Sequence, residues 1–334
     1  MAQDLIQLEL FPRLNISKPR VQKTHTPIFQ FITKNCLFYY GKTKENQLEI
    51  KREIEYEGIK YYISITRQRG VKNNKVIYDN FMNYQDEKVF LTAVKQCYDG
   101  QHKVYAKNPE ENVILYTSLY SIQKDIDKGL SKRFIKSSLD KLVSSKITIE
   151  DEFKTGEWIK NTSIIEDLGF SKKENRVIIR FSKYISDEIR KELTDKNRTD
   201  IAMANYKTLI DFRLPLSSYI YKTLIFNWTN FSNEDPTRQH FNQYNVWKFL
   251  KMGGFEYKNK SQKQALKRMI LKSIDELKEK GILDKCKCFQ KIDDDGKPTN
   301  PNSITFYPTT KTLRETYNQP KLANQETEEL EDLD

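Results

Sequence analysis

Ser138-Leu139-Asp140-Lys141-Leu142-Val143-Ser144-Ser145-Lys146-Ile147 and Ser273-Ile274-Asp275-Glu276-Leu277-Lys278-Glu279-Lys280-Gly281-Ile282 are two versions of one block. In both, apolar positions three and four residues apart close an amphipathic helix, and an isoleucine then opens an apolar strand. Upstream of each block the sequence predicts a shorter helix ending at glycine, Gly129 in one case and Gly253-Gly254 in the other. A serine then follows, Ser131 or Ser261, that can cap the next helix. The repeated unit is therefore helix, turn, helix, strand. A helix after such a turn is a common way to present side chains to the DNA major groove, so the duplication predicts a chain that reads two stretches of duplex.

Working outward from the second block, the pattern predicts helices over Leu216 to Trp228, Tyr244 to Lys251 and Ser261 to Lys280. A hairpin then runs from Ile282 through Cys286 to Lys291 and returns over Ser303 to Tyr307. Around the first block it predicts a hairpin over Leu48 to Ile65 that turns near Glu57-Gly58, and helices over Tyr84 to Cys97, Leu119 to Asp127 and Ser131 to Ser145. Strands at Ile147-Thr148-Ile149, Thr162 to Glu166 and Arg176 to Phe181 would form a long β wing, followed by a helix over Ser182 to Leu193. The expected fold class is α+β, with two tandem winged-helix domains and a β-rich N-terminal extension. The expected divisions are a flexible arm over 1–24, a first domain over 25–205, a second over 206–314 and an acidic disordered tail over 315–334.

At 334 residues the chain is long enough for about two domains, each with its own core. Lys and Arg number 57 against 46 Asp and Glu, a formal charge of +11. Glu326, Glu328, Glu329, Glu331, Asp332 and Asp334 crowd the C-terminus, so the body before them is more basic still. Such a balance favours a polyanionic partner. No apolar run reaches the roughly 18 residues of a membrane span, and Asp4, Glu9 and Arg13 interrupt the N-terminal hydrophobics. A cytoplasmic protein with no membrane partner is expected. Its four cysteines are too few and scattered for a disulfide scaffold, and Cys286-Lys287-Cys288 lacks a second ligand pair for a metal.

In the second unit Leu266, Ile270, Ile274 and Leu277 form the inward stripe of the third helix, which turns Ser261, Gln264, Arg268 and Lys272 outward. Lys260, Gln262, Lys263 and Lys267 flank that face. Arginine and glutamine match the guanine and adenine edges, while lysine neutralises phosphates without reading sequence. In the first unit Ile135, Leu139 and Leu142 point inward, leaving Arg133 and Ser137 outward with Lys132, Lys136 and Lys141 around them. That shorter face reads either as a second DNA contact or as a protein interface.

Catalytic signals are sparse. The sequence has no phosphate-binding Gly-x-x-x-x-Gly-Lys loop, and its three histidines (His25, His102, His240) stand far apart, without the paired histidines that hold a metal in DNA-nicking enzymes. No cofactor, metal or enzymatic activity is expected. In the arm, Gln7-Leu8-Glu9-Leu10-Phe11 is similar to the peptide with which bacterial proteins dock on the replicative sliding clamp. Leu10 and Phe11 would fill an apolar pocket, with Gln7 at its edge and Leu8 beside it.

The chain as a whole resembles plasmid replication initiators of the tandem winged-helix type, in particular the replication initiator protein A group. The resemblance runs from His25 to about Leu313. It is carried by Thr26-Pro27-Ile28-Phe29-Gln30-Phe31, Glu55-Tyr56-Glu57-Gly58-Ile59, Tyr78-Asp79-Asn80, Lys132 to Leu142 with Ile147-Thr148-Ile149, and Leu214-Pro215-Leu216-Ser217-Ser218-Tyr219-Ile220-Tyr221-Lys222-Thr223-Leu224. It implies a non-enzymatic initiator that binds directly repeated origin DNA (iterons) and helps to melt adjacent AT-rich DNA. It also implies recruitment of the host initiator ATPase and replicative helicase, and autorepression by a homodimer. A tandem winged-helix transcriptional repressor and a rolling-circle nicking enzyme are the alternatives.

Overall fold

The structure is a computed structural model. It describes residues 20–22, 38, 47–56, 59–67, 69–72, 75–78, 81–98, 100–105, 111–126, 130–151, 159–171, 175–194, 201–203, 206–228, 242–255, 257–292, 296 and 300–312. The chain divides into two compact units, with the break between Lys196 and Asn197. Strand β1 (Arg20–Gln22), near the end of the stretch expected as an arm, belongs to the second unit, where it pairs antiparallel with Ile201–Met203. The rest of the arm, its Gln7 to Phe11 peptide and the acidic tail lie outside the described residues.

The first unit begins with two hairpins. One joins β2 (Glu49–Tyr56) to β3 (Ile59–Thr66), and a second, absent from the sequence reading, joins β4 (Arg69–Lys72) to β5 (Lys75–Tyr78). Helix α1 (Tyr84–Tyr98) follows, then β6 (Lys103–Tyr105) and β7 (Ile114–Thr117), α2 (Leu119–Ile126) and α3 (Lys132–Ser144). The three helices pack through Val89, Phe90, Ala93, Ile122, Ile126, Ile135, Leu139 and Leu142, all buried. Ser131 caps α3 as expected, its Oγ accepting from the Phe134 N–H at 3.1 Å.

After α3 the chain departs from expectation. Strand β8 (Lys146–Asp151) does not enter a wing. It pairs with β3, Ile147 opposite Ile65 and Ile149 opposite Ile63, and β9 (Ile159–Thr162) adds to it in a sheet of order β2-β3-β8-β9. The strand predicted over Thr162 to Glu166 is broken at Ser163 and Ile164, both buried. Only then does the hairpin form, from β10 (Ile165–Ser171) and β11 (Arg176–Phe181). Its sheet has the order β10-β11-β7-β6, and α4 (Lys183–Thr194) follows. The alternation of Ile63, Ile65, Ile147 and Ile149 explains the detour, because these side chains share one buried face of the first sheet.

The second unit contains β12 (Ile201–Met203), α5 (Tyr206–Asp211), α6 (Pro215–Trp228), β13 (Asn242–Asn245), α7 (Val246–Met252), α8 (Lys260–Glu279), β14 (Leu283–Cys288) and β15 (Ser303–Pro308). The sheet order is β13-β15-β14. The helix expected from Tyr244 starts at Val246, because Asn245 caps it and Tyr244 pairs with Ile304 in the sheet. Aromatic rings fill the core. Tyr219 and Phe249 are 4.8 Å apart, Tyr244 and Phe249 4.9 Å, and the Tyr219 hydroxyl donates to the Phe249 carbonyl at 2.8 Å. Tyr219 also explains Gly253, where a Cβ would meet its ring at 2.7 Å.

Candidate nucleic-acid interface

Both units share a core order of helix, strand, helix, helix and hairpin, with the strand before the second helix pairing to the last strand of the hairpin, β7 to β11 and β13 to β15. The first unit adds β6 before β7 and inserts β8 and β9 before its hairpin. In the register of the repeated block five buried positions correspond. Ile135 and Ile270, Ser138 and Ser273, Leu139 and Ile274, Leu142 and Leu277, and Ile147 and Ile282 are all buried. The outward residues correspond at Arg133 and Arg268, both exposed. The helices differ in length at their N-terminal ends. Lys132, which opens α3, corresponds to Lys267, whereas α8 starts at Lys260, about two turns earlier.

On α8 the expected outward residues Lys260, Ser261, Gln262, Gln264, Arg268 and Lys272 are all exposed. The cap is Asn259 rather than Ser261: its Oδ1 accepts from the Gln262 N–H at 2.9 Å, and the Gln262 side-chain Oε1 accepts from the Lys258 N–H at 2.7 Å. Gln262 thus helps to fix the start of the helix. Lys263 and Lys267 are half-buried against aromatic faces. The Lys263 ammonium lies 4.5 Å from the Trp247 ring centre and 5.2 Å from that of Tyr257, and Lys267 lies 4.8 Å from Phe289. Phe289, the residue after β14, has φ 61°, a left-handed conformation uncommon for an aromatic residue.

The outward face of α3 repeats this arrangement on a smaller scale. Lys132, Arg133, Lys136 and Ser137 are exposed, with Lys132 5.5 Å from Tyr120 of α2 and Lys136 5.0 Å from Phe170 of β10. Lys141 does not belong to this face. Its ammonium sits 3.2 Å from both carboxylate oxygens of Asp86, which is fully buried at the start of α1. Asp86 also accepts from the Asn83 N–H at 2.8 Å while Asn83 accepts from Asp86, a reciprocal helix cap. In the repeat register Lys141 corresponds to Glu276. Glu276 makes the equivalent tie with its own charge, accepting from the Arg213 N–H at 2.6 Å, the Leu214 N–H at 3.2 Å and the Ser217 hydroxyl at 2.5 Å at the start of α6. In each unit, one residue at this position binds the third helix to the start of the first.

Cys286 and Cys288 are free and partly buried on β14. Burial pushes both thiols up, Cys288 to about 12, so they stay protonated near neutral pH. No group of three or more potential metal ligands occurs among the described residues. No helix among them is long and apolar enough to cross a membrane. Sequence reasoning missed Trp247, Tyr257, Phe289, Tyr120 and Phe170, because they reach the lysines from separate elements.

The fold defines a class of mixed α and β protein shared with domains 2 and 3 of RctB. That crystal structure matches with a TM-score of 0.50 at 8% identity, covering 83% of this chain and 98% of the other. The Pi initiator protein, in a crystal structure with iteron DNA, is similar at a TM-score of 0.45 and 14% identity over 68% of this chain and 91% of that one. Only the first reaches the level at which a shared fold is shown. No family model matches the sequence. Among curated proteins, a probable inactive serine/threonine-protein kinase, fnkD, of Dictyostelium discoideum is 28% identical over 202 residues, 53% of this chain. The chain spans 26% of that relative's length.

Proposed function

We propose that this chain is a plasmid replication initiator whose two units are winged helices that bind directly repeated origin DNA. The observation that carries the proposal is the outward face of α8, where Lys260, Ser261, Gln264, Arg268 and Lys272 are exposed together on a helix followed directly by a β-hairpin. Such a helix presents base-reading and phosphate-binding groups at once. The net charge of +11 and the fold shared with domains 2 and 3 of RctB support the same reading. Arg133 and Ser137 of α3 read the second stretch, with Lys132 and Lys136 on the backbone.

In this reading the protein is cytoplasmic and uses no cofactor or catalytic step of its own. It acts by recruiting the host initiator ATPase and replicative helicase, docks on the sliding clamp through Gln7, Leu8, Leu10 and Phe11, and represses its own gene as a homodimer. The test is footprinting of the full chain on the DNA that flanks its gene. Protected tandem repeats are expected, and removal of those repeats should abolish plasmid maintenance. Equal affinity for this DNA and for random duplex would overturn the proposal. A covalently attached, relaxed product from supercoiled origin DNA with magnesium would replace it with the nicking enzyme.

A further inference from the structure

Leu271 is 48% exposed on the outward side of α8, three residues after Arg268 and next to Lys272. A single exposed leucine is ordinary on a protein surface. The repeat makes this one informative. Its counterpart in α3 is Lys136, which is exposed and carries its ammonium over Phe170. The scaffold therefore accepts a charged residue at this position, and no core requirement selects leucine there. The buried counterparts, in contrast, keep their character, as Ser138 and Ser273 or Leu142 and Leu277 show.

We infer that Leu271 is a specificity-determining residue that contacts the 5-methyl group of a thymine beside the base read by Arg268. The thymine methyl is the apolar handle that the major groove offers among its hydrogen-bonding edges. Arg268 and Leu271 stand about 4.5 Å apart along the helix axis, close to the roughly 3.4 Å step between base pairs, so both can reach neighbouring pairs. The exposed residues around Leu271 are Gln264, Arg268, Lys272 and Asp275, all polar. A protein partner docking by hydrophobic burial would find little else on this face. The inference rests on the proposal that α8 enters the major groove.

The experiment uses the full chain and the tightest duplex it selects from a random-sequence pool. Each thymine is replaced in turn by deoxyuridine, which removes only the methyl group. At one position the wild-type chain should lose about fourfold in affinity, as expected for one methyl group of buried apolar surface. Leu271→Ala should bind the thymine duplex as weakly as the wild type binds the uridine duplex, and should not distinguish the two. Leu271→Lys, which copies the first unit, should keep overall affinity through its added charge yet also lose the distinction. If no uridine position matters, or if both variants still distinguish thymine from uridine as the wild type does, the inference fails while DNA reading by α8 stands. If the selection enriches no sequence, the proposed function fails, and this inference fails with it.

Discussion

The two units place the same helix on the same core and then send the chain in different directions. After α8, Ile282 leads straight into β14 and the hairpin with β15. After α3, Ile147 leads into β8, which pairs with β3, and the equivalent hairpin begins only at Ile165. The difference shows that the inward face of the third helix fixes its packing independently of the strand that follows. Ile135, Ser138, Leu139 and Leu142 serve α3 as Ile270, Ser273, Ile274 and Leu277 serve α8. What the first unit gains is a sheet of four strands, and what the second gains is about two more turns of outward helix.

The polar tie between third and first helix is where the comparison breaks most sharply. Lys141→Ala would leave Asp86 buried without its countercharge and should lower the stability of the first unit by about 3–5 kcal/mol. Glu276→Ala would leave two backbone N–H groups and the Ser217 hydroxyl without their acceptor, at a cost of about 1–3 kcal/mol. Urea unfolding of the full chain, with hydrogen exchange to assign the loss to one unit, measures both. Equal effects would mean that a charge pair and a direct helix cap are interchangeable here.

Gly253→Ala probes a constraint specific to the second unit, since the added methyl would press on the Tyr219 ring. The expected loss is about 1–3 kcal/mol, and exchange protection should fall in α6 and α7 while the first unit is unaffected. A smaller loss would show that Tyr219 can move aside.

Arg133→Ala and Arg268→Ala test whether equivalent positions do equivalent work. Each should remove about 1–3 kcal/mol of discrimination between the selected repeat and random duplex, visible in competition binding. A loss for Arg268 alone would leave α3 to protein contacts. The smallest effect is expected from Lys260→Ala, which should lower affinity for all duplexes and reduce the salt dependence by about one unit. Lys132→Ala should do less, because Lys132 opens a shorter face and lies beside Tyr120.

The helices around the repeated block, their inward stripes and the outward residues Lys260, Ser261, Gln264, Arg268 and Lys272 were legible in the order of residues alone. A period near 3.6 residues sorts side chains by face without reference to any other part of the chain. It also marked Arg133 and Arg268 as outward. The tertiary structure decided everything that depends on which strand or ring comes alongside. Ile147 looks alike as the start of a wing or of a separate sheet, and only pairing with Ile65 distinguishes them. Lys141 looks like any outward lysine until the buried Asp86 draws it inward, and Lys263 and Lys267 look like phosphate ligands until Trp247, Tyr257 and Phe289 cover them. Local periodicity is a property of one segment, whereas partners for a charge, a ring or a strand edge come from residues far away in the chain, and only folding brings them together.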